Sequence, residues 1–412
     1  MTYLFQWEHG LLPNITKPFS SYINIQQMVS FEGFTGYYRG KLIHIETWPY
    51  LGFARMFNGG SIELAKKNVY FNRQGYPFLF SLLPPLWNEF ARALMLNAIL
   101  WFAACICLIM IARQFFTSDS LGFLAAILLA TDFAFAAMAG DVSPHLFAVC
   151  WFFMGVYLAT KSNFSTGKPS WRNVLAFALW AAGGGLGYEI HLMIAAFGIV
   201  LSFPRLSIVK IVALILIAIT PAMAVSFAVQ FLGGENIKIE MIKSMLHKWL
   251  SAYQTNPLQG VLWDIKLFIG QITTINPLLL VLALTGFPSI PREMKKVLCS
   301  TFIVVFIFSF IFSHYVGPAG CTSAGFIPVL CLASAQGLRT IAHRLSGIIT
   351  SKSVRRFLYA SILLIFISCN IGMTMTVRFT KFPGFLWAFT WGGPPYRPIH
   401  IYWDRLPEIE KL

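Results

Sequence analysis

The chain has 412 residues, 57% of them hydrophobic and only 11% charged, with a formal net charge of +15 and a mean hydropathy of +0.67. A soluble domain carries roughly 25% charged residues, so this composition argues against a soluble globular protein and for a chain that lives in a bilayer. The basic balance, which in a soluble protein would suggest nucleic acid, here fits residues that set topology and attract anionic lipids, and no nucleic-acid partner is expected.

In chain order, residues 1–92 form a polar head rich in Glu, Arg, Lys, Trp and Tyr, with no apolar run in 1–40 long enough to span or to act as a signal. The carboxylates of this head are Glu8, Glu32, Glu46, Glu63 and Glu89, and it contains no Asp. It ends in the string YFNRQGYPFLFSLLPP at 70–85. A membrane span needs about 20 apolar residues, and the sequence predicts spans at 93–113, 121–139, 144–160, 208–232, 262–288, 297–313, 322–342 and 355–376. The stretch 173–203 is too long for one upright helix, and its middle reads GGGLGYEIH at 183–191. Two short helices, 173–186 and 188–203, are therefore predicted, meeting at a glycine-rich break.

The charges agree with that division. With two helices, the basic loops around Arg113 and at 161–172, 205–210, 292–296 and 339–356 share one side, which is cytoplasmic by the positive-inside rule. The other side receives the head, Asp141, Tyr188 and Glu189, the loop 233–261, His314 and Tyr315, and an aromatic tail from 377 to 412. The expected organisation is thus an all-α, polytopic bundle of about ten spans over 93–376. Because both ends fall outside, the alternative is a bundle of eleven spans, with a first span preceding Met1. Seven cysteines add no disulfide framework and no zinc-ligand spacing; most fall inside apolar runs and read as small buried hydrophobes.

Loop 233–261 contains ENIKIEMIKSMLHKWLSAY at 235–253, with Ile239, Ile242, Leu246, Trp249 and Leu250 on one helical face and Lys243, His247 and Lys248 among the polar positions. This is an interfacial amphipathic helix; it either anchors the chain or covers a lipid-phosphate site with Lys243 or Lys248. Asp132, inside the predicted span 121–139, reads as a packed carboxyl bonded to a neighbouring helix. Asp141 and His145 flank a short outer turn.

Three features resemble the C-type membrane glycosyltransferases, the GT-C superfamily, including its protein-mannosyltransferase-like members. They are the Arg-Gly-Tyr-Pro string at 70–85, the long first outer loop with short helices and a second outer loop, and SHYVGPAGCTSAGFIPVLCLASAQGL at 313–338. The resemblance implies transfer of a sugar from a polyprenyl-phosphate donor to a glycan, lipid or protein acceptor at the outer face of a plasma (inner) membrane. Such a transfer needs a carboxylate as general base and a cation or a divalent metal ion on the leaving phosphate. The family's usual acid follows its first span, whereas the head here offers only Glu. Glu46, in HIETWPYLGFARMFNGG at 44–60, is the preferred base and Glu32, in FEGFTGYY at 31–38, the second choice; the alternative for each is a solvated surface Glu. Arg73 and Tyr76 belong to the best-matching string, and an Arg at the membrane plane either grips phosphate oxygens or anchors in the headgroups. Glu189 and His191 interrupt an apolar region and could hold a metal, a sugar hydroxyl or phosphate, or simply form a turn. A transporter or lipid flippase, or a non-catalytic relative, are the competing readings; no internal repeat of the inverted kind supports the first.

Overall fold

The structure, a computed structural model, describes residues 35–38, 41–44, 47–59, 73–84, 89–132, 135, 138–139, 142, 144–188, 190–231, 243, 247, 250, 254, 256–258, 261–262, 276–316, 324–349 and 351–379. Glu32, Glu46, Asp141, Glu189 and Lys248 lie outside these. The described chain is helical, with one small hairpin that the sequence reading lacks: β1 (Thr35–Tyr38) pairs antiparallel with β2 (Lys41–His44), Tyr38 opposite Lys41.

Two short helices of the head follow, α1 (Thr47–Phe57) and α2 (Gly75–Ser81). Then come α3 (Glu89–Phe116), α4 (Asp119–Thr131), α5 (His145–Lys161), α6 (Trp171–Gly185), α7 (Ile190–Ser202) and α8 (Ile208–Phe231). The last four are α9 (Pro277–Gly286), α10 (Arg292–Val316), α11 (Ile327–Ile348) and α12 (Lys352–Phe379). The break predicted inside 173–203 is present, between α6 and α7. Two predicted spans are corrected. The helix expected over 121–139 stops at Thr131, and Asp132 takes an extended conformation there. The helix expected over 262–288 cannot be continuous, because Asn276 caps a fresh start: its side chain accepts the Leu278 N–H and Pro277 opens the first turn. Asn-Pro is a helix-start signal that outweighs continuous hydropathy.

Among the described residues two helices, Ala91–Phe116 and Ile208–Ala228, are long and apolar enough to cross a membrane, and four shorter helices are also apolar. Only 11% of the second long stretch is buried within the molecule. Its Ile208, Val209 and Phe227 stand exposed, as do Phe102 on α3 and Leu284 on α9.

Close packing is built on small residues and reciprocal bonds. A Cβ on Gly337 of α11 would sit 2.0 Å from the Leu282 carbonyl oxygen of α9, and one on Gly286 would sit 2.2 Å from that of Ala333. The two backbones therefore touch, and Ser334 Oγ donates to the Leu279 carbonyl across the same seam at 2.8 Å. Small residues spaced four apart, here Ala333 and Gly337, are the usual means of such approach in apolar bundles. Between α5 and α6, Trp151 and Trp180 stack at 4.0 Å. Each indole N–H donates to the other's backbone carbonyl, at 2.9 and 3.0 Å. Gly183 and Gly184 lie against Trp151, where a Cβ would come within 2.9 Å of the indole.

The helices define two ends. At one, Arg205 and Lys296 both donate to the Ser165 carbonyl, at 2.7 and 3.2 Å, and Lys210 to that of Pro169 at 3.3 Å. Gln114, at the foot of α3, reaches the Thr160 carbonyl at the foot of α5. The basic loops 161–172, 205–210 and 292–296 thus gather on one end, as the charge pattern predicts. The start of α3, the start of α5 and the α6–α7 break lie at the other.

Candidate functional site

The end opposite the basic loops is where the head meets the helices. Its central contact joins the Arg-Gln-Gly-Tyr turn of the head to the Leu-Gly-Tyr break after α6. The Gly75 N–H donates to the Leu186 carbonyl. A Cβ on Gly75 would come within 2.8 Å of the Leu186 and Gly187 backbone, and one on Gly187 within 2.1 Å of the Phe147 ring. Glycine is required at both places because the head backbone, the break and the start of α5 approach without room for side chains. The glycine-rich motif therefore serves as a docking surface as well as a turn.

Docking positions Arg73. Its guanidinium carbon lies 4.4 Å from the centre of the Tyr188 ring, a cation–π stack, and its Nη1 lies 3.5 Å from the Tyr50 hydroxyl. A guanidinium drawn over a ring face and toward a hydroxyl is held in place with its donors restricted. Tyr50 is fully buried on α1 and meets Tyr76 edge-on at 5.9 Å. Tyr76 is also fully buried; its hydroxyl donates to Asn97 Oδ1 at 3.1 Å, and Asn97 in turn donates to the Ala139 carbonyl. This aromatic wall continues through Phe80 and Phe147, at 5.2 and 6.3 Å from Tyr76.

The other side of the break carries two histidines. His145, in the first turn of α5, meets Tyr188 edge-on at 5.8 Å. His191 is 4% exposed, packs against Gly185, and places Nδ1 3.4 Å from the Tyr188 carbonyl. Tyr188 is thus the hub: Arg73 lies over its ring, His145 meets the ring in a T-shaped pair, and His191 lies beside its carbonyl. The structure brings Arg73, Tyr76 and His191 into one neighbourhood. Glu189 follows Tyr188 in sequence and Glu46 precedes Thr47, the first residue of α1, but both lie outside the described residues, as do Glu32 and Lys248. Lys243 is helical and exposed, as are His247 and Leu250 of the same loop. Among the described residues no three His, Cys, Asp or Glu gather into a group that could hold a metal ion.

Three contributors escape the sequence reading. Tyr50 is one aromatic among many. Arg92 looks like a flanking charge, yet it is 5% exposed and donates to the Ser81 carbonyl, closing the C-terminal end of α2. Asn97 had a usable signal: a polar amide inside an apolar run calls for a partner. Asp132 is fully buried, but its Oδ1 accepts the Phe135 N–H at 3.0 Å, within its own turn.

The chain matches no protein-family model, and no curated protein matches it. The site therefore rests on its geometry and on the resemblance carried by its motifs.

Proposed function

We propose that this chain is a polytopic integral-membrane glycosyltransferase that moves a sugar from a polyprenyl-phosphate-linked donor to an acceptor at the non-cytoplasmic face. The observation that carries the reading is the seating of Arg73 on Tyr188, at the end of the molecule opposite the basic loops. A cation held by aromatic rings near the edge of an apolar bundle suits a phosphate joined to a greasy tail. The poorly buried apolar stretch 208–228 supports a lipid surround, because a large exposed apolar face is costly in water.

In this mechanism Glu46 takes the proton of the acceptor hydroxyl. The acceptor oxygen then forms its bond to the anomeric carbon while the bond from that carbon to the phosphate oxygen breaks. The leaving polyprenyl phosphate gains negative charge, and Arg73 stabilises it most at that moment. Tyr50, Tyr76 and Asn97 act as positioning residues, since their polar groups hold Arg73 or one another. His191 lies beside Tyr188; it and Glu189 are assigned to sugar hydroxyls or phosphate, and Lys243 and Lys248 to the covering helix.

The test is transfer by the purified full chain in liposomes, with a panel of polyprenyl-linked sugars and with Glu46→Gln alongside. General-base catalysis contributes roughly a hundred- to ten-thousand-fold, so turnover should fall by that order while donor binding persists. Unchanged transfer by Glu46→Gln rejects Glu46 as base. Failure of the wild-type chain with every donor favours the non-catalytic alternative.

A further inference from the structure

A second site is suggested at the opposite end. Helices α4, α11 and α12 enclose a groove of about 860 Å³ that the transfer mechanism does not use. One end of it is basic, with Arg339, Lys352, Arg355 and Arg356 in the lining. The walls running away from that end are apolar, including Phe123 and Ile127, which remain 56% and 43% exposed. Small residues Ala335 and Ala342 form its floor on α11.

Among the described residues that line the groove, none offers these cations a carboxylate. The ion pairs found among the described residues are Arg113–Asp119 and Lys296–Glu293, neither in the groove. From 294 to 403 the sequence has no Asp or Glu at all. Lys352, Arg355 and Arg356 also crowd the first turns of α12, which hold no acidic residue. Cations there oppose the helix dipole, so the arrangement is unfavourable until an anion arrives.

We infer that this groove binds an anionic phospholipid, with its headgroup phosphate among Arg339, Lys352, Arg355 and Arg356 and an acyl chain along Phe123 and Ile127. Charge complementarity selects the phosphate, and the apolar walls select a lipid over a free ion. Basic pockets between membrane helices on the cytoplasmic side recognise anionic headgroups in this way. The inference rests on the membrane reading but is independent of sugar transfer.

Native mass spectrometry of the purified full chain tests it, using phosphatidylglycerol, phosphatidylcholine, the deacylated headgroup glycerophosphoglycerol and inorganic phosphate as probes. Phosphatidylglycerol should be retained well above the other three. Triple replacement K352Q/R355Q/R356Q should weaken that retention roughly 100-fold, at about fivefold per cation. A control variant K161Q/K168Q/R172Q, altered elsewhere among the basic loops, should retain the lipid like wild type, and thermal unfolding should show both variants folded. The inference is overturned if phosphatidylcholine is retained equally, if the folded triple variant binds like wild type, if the control loses as much, or if headgroup or phosphate alone binds as tightly as the lipid.

Discussion

Tyr188 is the residue on which the proposed site turns, because it touches Arg73 through its face and His191 through its carbonyl. A cation–π contact contributes about 0.5–2 kcal/mol. Tyr188→Leu should therefore weaken binding of a polyprenyl-phosphate donor by about fivefold, whereas Tyr188→Phe, which keeps the ring face, should restore it. Donor titration by tryptophan fluorescence reads this directly, and equal affinity for all three proteins would remove Tyr188 from the site. At the other end, Arg113 and Asp119 form an exposed pair, with a second contact from Nη2 to Oδ2 at 3.2 Å. The hydrogen bond from Arg113 is the main reason the Asp119 carboxyl is held below its ordinary value. A lowered carboxylate value stabilises the fold above the unfolded value of about 3.9 and ceases to do so as pH falls through the folded one. Asp119→Asn should thus show a small loss of melting temperature at neutral pH that disappears in acid. A difference that grew on acidification would reverse this assignment.

At the scale of elements, the α9–α11 seam makes the sharpest prediction. Gly337 has no room for a Cβ against the Leu282 carbonyl, so Gly337→Ala must part the helices and strain the Ser334 bond. Overpacking of this kind typically costs ~1–3 kcal/mol, and thermal unfolding in detergent should register it; Gly347→Ala, where a Cβ meets nothing within 4 Å, should melt close to wild type. Neither partner of that seam was legible in the sequence, since Gly286 and Gly337 lie in separate runs and only the fold pairs them. What could be read was local. Glycines and a charged pair inside 173–203 announced a break, and continuous apolar runs announced helices. Asn276-Pro277 was just as local a signal, but hydropathy averaged over a long window hid it, and Thr131 ended α4 early because Asp132 bonds its own turn. The Arg73 string was recognisable as a motif, yet its contact with Tyr188 joins residues more than a hundred positions apart. The Trp151–Trp180 clasp is of the same kind: each indole is one aromatic in an apolar run until the other is placed beside it.

For the whole molecule, the basic loops and the Arg73 site occupy opposite ends, which matches the asymmetry expected of a protein inserted in one direction. Cysteine replacements at Ser353 and Thr255 test this in intact cells with a membrane-impermeant reagent. Position 255 should label from outside and position 353 only after permeabilisation; the reverse pattern would invert the proposed orientation. The most direct test of the central claim is photocrosslinking with a polyprenyl phosphate carrying a photoreactive group beside its phosphate, followed by peptide mapping of the purified chain. The adducts should fall within 69–84 and 186–193, and should be lost with Arg73→Ala. Adducts confined to 335–359, or unchanged by Arg73→Ala, would contradict it.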